Sequence, residues 1–176
     1  MLYRTLMFMS RVACHTPRPI LLALGWVLGN LYYLIIAKMR RRAVAHMMPA
    51  LGIDEAAAKK LVRASFINMA RNFLDILAMP MLNERNFRDY IEIDHLERMQ
   101  EALAEGHGVV VLTGHIGCWE WLSAAFTLNG MPVSAIAKPQ PNIQYTRVLD
   151  DLRATIHVEI FSRGTSELIA AARALK

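Results

Sequence analysis

Gly108-Val109-Val110-Val111-Leu112-Thr113-Gly114-His115-Ile116-Gly117-Cys118-Trp119-Glu120 is the stretch on which the reading of this chain turns. Val109 to Leu112 form an apolar, largely β-branched run. Such a run predicts a strand buried on both faces. Gly114 and Gly117 loosen the backbone after it, and Trp119 to Leu128 can then coil into a helix. Further on, Val133 to Ala137 reads as a second strand, Asn142 to Ala154 as a helix, and His157 to Phe161 as a third short strand. Thr165 or Ser166 can cap a last helix through Leu175. Strands alternating with helices imply a largely parallel sheet covered by helices, so the expected class is α/β. Three strands make a poor sheet, and the sheet is expected to be incomplete over these residues.

In open parallel sheets, ligands gather at the carboxyl ends of the strands, which is where His115 falls. Glu120 stands five residues further on. On one continuous helix that spacing leaves two side chains about 140° apart, too far round to meet. With His115 in the loop and Glu120 in the first helical turn, the glycines let the chain bend back. The carboxylate can then hold one imidazole nitrogen and leave the other facing a substrate. This is the base and orienter of a triad without its serine, and a substrate hydroxyl can supply the nucleophile. A purely structural histidine is the plainer alternative. Cys118 offers a second, a thiol enzyme in which it pairs with His115, although nothing nearby marks it as a nucleophile. No H-E-x-x-H or comparable metal pattern occurs, so no metal site is expected.

Upstream, the composition changes. Hydrophobic residues make up 55% of the 176-residue chain, against about 45–50% in typical soluble domains. Much of the excess lies in Ile20 to Ala37, 18 residues without a charge. As a helix this run spans about 27 Å, just short of the roughly 30 Å of a hydrocarbon core. It can span marginally or lie in the interface, with Tyr32 and Tyr33 at headgroup depth. Arg4, Arg11, Arg18, Lys38, Arg40, Arg41 and Arg42 give the first 42 residues +7 with no Asp or Glu, whereas the remainder, with 13 basic and 15 acidic residues, sums to −2. Cations that bracket an apolar helix point to anionic lipid rather than nucleic acid. Ala43-Val44-Ala45 has the form of a signal cleavage site, but Lys38 and Arg40 to Arg42 intervene, so an uncleaved anchor is expected. Cys14 and Cys118 have no disulfide or zinc spacing.

Pro17 and Pro19 punctuate the start of the apolar helix, the Arg40 to Arg42 run closes it, and Pro49 to Gly52 reads as a turn. Asp54 is the expected N-cap of a long helix reaching about Met79, where Pro80 stops it. Val62, Phe66, Met69, Phe73 and Ile76, spaced 4, 3, 4, 3, form one apolar stripe on it. Asp94-His95-Leu96-Glu97 has the form of a capping box before a short helix that ends near Gly106. The expected layout is an anchor over residues 1–42, a helical segment over 43–106, and the first part of a catalytic α/β domain over 107–176.

Gly108 to Glu120 resembles the H-x4-D/E motif region of the bacterial lipid A biosynthesis (late) acyltransferases, in the lysophospholipid acyltransferase-like superfamily. The basic-flanked N-terminal helix, the Arg-Arg-Arg run and the long amphipathic helix are similar to that family too. So is the segment from Lys138-Pro139 to Leu152-Arg153. Two positions depart from it: Lys138 stands where members often have Arg, which loses the bidentate fork for phosphate, and Cys118 where Asn is common. Members are also substantially longer, which makes the chain an expected N-terminal portion.

The resemblance implies a glycerolipid acyltransferase-like fold. It implies transfer of a fatty acyl chain from acyl carrier protein or acyl-CoA to a hydroxyl of a lipid A precursor or related glycolipid. His115 and Glu120 would be catalytic, while Lys138 and Arg163 would hold phosphate or phosphopantetheine. No cofactor is implied, since the acyl thioester is a co-substrate. The expected location is the bacterial inner membrane, with the catalytic part facing the cytoplasm. The other readings are a non-catalytic membrane-associated remnant of such an enzyme and a membrane-bound thiol or histidine hydrolase.

Overall fold

The computed structural model describes residues 1–162, together with Ile169, Ala172 and Arg173. Seven α-helices and two strands occur among them: α1 Leu2–His15, α2 Arg18–Ile35, α3 Ala37–Leu51, α4 Glu55–Ala78, α5 Leu96–Ala104, α6 Trp119–Thr127, β1 Val133–Ala137, α7 Ile143–Ala154 and β2 Val158–Ser162. The chain is helix-rich with a small parallel sheet, compatible with α/β. It divides into two compact units, His15–Asp75 on the one hand, and Met1–Cys14 with Ile76–Lys176 on the other. Of the helix expected from Thr165 or Ser166 through Leu175, Ile169, Ala172 and Arg173 are described and are helical; the rest lies outside the described residues.

In the His15–Asp75 unit, α2 starts at Pro17 and Pro19, where a missing backbone N–H costs nothing. It ends at Ile36, whose φ of −90° and ψ of 65° break the helical path. The Arg40 to Arg42 run therefore does not close α2 but lies within α3. Pro49 is also inside α3, and the turn is made by Gly52 alone, at φ 63°. A proline in the last turn gives up only one ladder bond, whereas the left-handed residue after it needs glycine. Asp54 does cap α4, its Oδ1 accepting from Ala57 N at 2.7 Å.

Helices α2 and α4 run antiparallel. Arg18 Nη1 donates to Asp75 Oδ1 at 2.6 Å at one end, and Arg63 Nε to Asn30 Oδ1 at 2.6 Å near the other. Between them, a Cβ on Gly29 would overlap the Ile67 backbone, so glycine sets how closely the helices approach. Val44, Ala58, Val62 and Phe66 form the core, with Tyr33, Met47 and Ile53 packed against it. The stripe on α4 divides: Val62 and Phe66 are buried, while Met69 and Phe73 face out. A straight stripe drifts around a 24-residue helix, and the burial line shifts to Ala58, Leu74 and Leu77.

In the other unit, β1 and β2 pair in parallel from Val133 opposite Val158 to Ala137 opposite Ser162, joined through α7. On β1, half-buried Val133, Ala135 and Ala137 alternate with exposed Ser134 and Ile136, the period-two pattern of a sheet covered on one face. Asn142 caps α7 through Gln144 N at 2.9 Å. Val148, Leu152 and Ile156 are buried along with Trp121, Ala124 and Ala125 of α6, and with Met79, Leu82 and Phe87. Helix α1 belongs to this body. Ser10 Oγ donates to Leu77 O at 2.6 Å, and Tyr3 Oη to Asp151 Oδ2 on α7 at 2.6 Å.

Two local expectations fail here. His95, at φ 56°, sits at the N-cap position of α5, and its Nδ1 lies 3.0 Å from Glu97 Oε1. The pairing is thus between His95 and Glu97, and Asp94 forms no capping box. The left-handed residue redirects the chain after Asp94. More consequentially, Val109 to Leu112 is not a strand. Val110 is 81% and Leu112 98% exposed. β-branched apolar residues favour extended backbone, but a strand also needs a neighbour to accept its ladder. Among the described residues β1 and β2 pair only with each other.

Candidate functional site

Glu120 lies in the first turn of α6, side chain 6% exposed. A buried carboxylate demands compensation, and Arg153 on the last turn of α7 provides it. Arg153 Nη2 donates to Oε1 at 2.6 Å and Nε to Oε2 at 2.9 Å. This is the bidentate fork that guanidinium and carboxylate geometry favour. The hydrogen bond to Glu120 raises the Arg153 pKa above its ordinary value, outweighing the opposing effect of burial. Asp150 adds a looser contact to the same guanidinium at 3.7 Å.

A third donor reaches the carboxylate from its own neighbour: Trp119 Nε1 donates to Glu120 Oε1 at 3.2 Å. The Trp119 ring in turn meets the His115 imidazole edge-on, centroids 4.7 Å apart. His115 and Glu120 do not hydrogen-bond to each other among the described contacts. Both touch Trp119 instead. His115 is exposed on the loop before α6, where Gly117 takes φ 60°, a conformation open to glycine. Cys118 is half-buried at the N-cap position of α6.

Lys138 is exposed immediately after β1. It lines a small concavity of roughly 40 Å³ with Pro139, Gln140, Thr146, Asp150 and Arg153. That space accommodates water rather than a fatty acyl chain. The concavity sits at the carboxyl end of β1, and Arg153 connects its wall to Glu120. Arg163 lies outside the described residues. Among the described residues no group of three His, Cys, Asp or Glu is disposed to hold a metal ion.

The family model described as bacterial lipid A biosynthesis acyltransferase matches residues 3–176. The chain belongs to this family. Comparison with curated proteins gives no match. Family membership supports acyl transfer involving an acyl donor and a lipid acceptor in general terms. It also agrees with the one helix among the described residues, Arg18–Ile35, that is long and apolar enough to cross a membrane.

Sequence reasoning missed Arg153 as a site residue, although it lies 33 residues from Glu120. No spacing rule connects the N-terminus of one helix to the end of the next. The available signal was indirect: a Glu following Trp119 and preceding the apolar Trp121-Leu122 is set to be buried, and a buried carboxylate needs a cation.

Proposed function

We propose that this chain transfers a fatty acyl group from an acyl thioester, carried by acyl carrier protein or coenzyme A, to a hydroxyl of a lipid A precursor or related glycolipid. The observation that carries the reading is the family match over residues 3–176, with His115 and Glu120 in the H-x4-E signature. His115 removes the proton of the acceptor hydroxyl as that oxygen attacks the thioester carbonyl carbon. The new C–O bond forms, the C–S bond breaks, and the imidazolium returns its proton to the leaving thiolate. Exposure of His115 on a glycine-containing loop suits a base that must meet a bulky lipid hydroxyl. Exposed Val110, Leu112 and Ile116 beside it suit an acyl chain.

Glu120 is the orienting carboxylate in this scheme. Arg153 fixes the carboxylate, and the scheme requires the His115 imidazole, which meets the Trp119 ring, to reach Glu120 when the acceptor binds. Lys138 supplies a cation at the carboxyl end of β1 for phosphate or phosphopantetheine, and Arg163 takes the same role by the family resemblance. The reaction takes place at the cytoplasmic face of the bacterial inner membrane. The test is incubation of purified protein with an acyl thioester and a lipid A precursor. Mass spectrometry should show the acceptor gaining one acyl chain, with release of the thiol. Hydrolysis of the thioester without acyl gain would favour a hydrolase instead.

A further inference from the structure

Helix α2 has the length and hydropathy of a membrane span, yet the fold places constraints on it that a span does not meet. α1 precedes α2 in the chain, and α7 follows it. Both lie in one compact unit. Tyr3 Oη donates to Asp151 Oδ2 at 2.6 Å and Tyr3 N to Gln144 Oε1 at 3.0 Å, and the Arg147 guanidinium stacks 4.6 Å from the Tyr3 ring centre. Ser10 Oγ adds a buried bond to Leu77 O at 2.6 Å. One crossing by α2 would leave α1 and α7 on opposite sides of the bilayer and break all of these. A second crossing would restore them, but no other helix among the described residues is long and apolar enough to make one. Antiparallel α4 accompanies α2 along its length, carrying Arg63, Arg71 and Asp75 against Asn30, Leu22 and Arg18. A crossing α2 would take those charges into hydrocarbon.

We infer that α2 is an in-plane anchor that lies along an acidic phospholipid surface with its outer face in the interface, and does not cross the membrane. Its two faces fit this. Leu21, Gly25 and Gly29 are buried, the last two against α4. Ile20, Leu24, Val27, Leu31 and Leu34, spaced 4, 3, 4, 3, are 57, 44, 51, 50 and 66% exposed. This is one continuous apolar row on the exposed side of α2, and exposed Trp26, Leu28, Tyr32 and Ile35 widen it. The lipid commitment follows from charge, since residues 1–42 carry seven cations and no acidic side chain, and of these Arg18 is paired with Asp75. Anionic headgroups complement that balance, and a second copy of the same basic segment does not.

The experiment places spin labels on the full chain at Ile20→Cys, Val27→Cys and Leu34→Cys, one at a time, with Cys14 and Cys118 replaced by Ser. Successive labels are about 10 Å apart along the axis and share one face. Vesicles of phosphatidylglycerol with phosphatidylethanolamine are the probe, and depth is read from accessibility to oxygen against a water-soluble relaxant. The expected result is three labels at one shallow depth, with binding weakened at least tenfold on phosphatidylcholine vesicles. A maximum of depth at Val27, with Ile20 and Leu34 in opposite headgroup layers, would overturn the inference in favour of a span. Self-association through these labels without vesicle binding would overturn it in favour of a protein interface.

Discussion

Arg153 closes on both oxygens of Glu120, at 2.6 and 2.9 Å, from the far end of the helix that connects the two strands. The pair is nearly enclosed, with side chains 15% and 6% exposed. Attraction between such charges offsets a large desolvation cost only while both are present. We predict that Arg153→Met, which leaves the carboxylate alone, lowers unfolding stability by about 3–5 kcal/mol. Arg153→Met combined with Glu120→Gln should be markedly less damaging than the sum of the two. Urea unfolding of the four proteins checks this, and additive losses would show that the two groups do not depend on each other.

Gly29 governs the α2–α4 contact in the same local sense. A side chain there meets Ile67 backbone rather than a flexible tip. Gly29→Leu is expected to lower stability by about 1–3 kcal/mol through overpacking. Leu24→Ala, on the exposed face of α2, should leave stability in detergent solution unchanged. Thermal melting of both variants distinguishes a packed glycine from an incidental one.

Much of this was legible before the structure. The cap at Asp54, the start of α2 at its prolines, helices α6 and α7, and strands β1 and β2 follow from local chemistry: capping oxygens, missing N–H groups and periodicity. What failed depended on partners. Val109 to Leu112 has strand composition, but composition does not supply a neighbouring edge. Arg40 to Arg42 has the look of a helix stop, yet the break falls at Ile36, where no distinctive residue announces it. His115 and Glu120 were legible as a pair of residue types. That Glu120 would be held by Arg153, with Trp119 touching both Glu120 and His115, required the α6 and α7 packing that no spacing encodes.

Cys14 gives a pH prediction. Burial raises its thiol pKa, against smaller opposing hydrogen bonds, and Sγ faces the carbonyls of Leu77 and Ala78 at 3.9 and 3.8 Å. A folded-state pKa above the unfolded one means that the folded protein keeps a proton the unfolded chain releases. The contribution is complete below the ordinary value of 9.0 and is lost as pH rises past it. Urea midpoints should therefore fall between pH 8 and pH 10 more steeply for the wild type than for Cys14→Ser. Equal slopes would show that Cys14 contributes nothing to the pH dependence of stability.

Cys118 separates acyl transfer through a histidine base from thiol catalysis. It stands at the start of α6 and takes no part in the proposed proton transfers. Cys118→Ser should retain transfer within about threefold, because a serine fits the same half-buried position. Abolition of turnover in a protein that still melts cooperatively would favour the thiol reading.

The role of His115 as general base is tested by the turnover of purified His115→Ala with an acyl thioester and a lipid A precursor, followed as acyl gain by mass spectrometry. A general base typically contributes about 10²–10⁴-fold. Since His115 is exposed and its described contact is the Trp119 ring, the variant should fold and melt as the wild type does. A loss of at least a hundredfold in turnover with unchanged melting is expected. Turnover within a few-fold of wild type would contradict it and remove His115 from the chemistry.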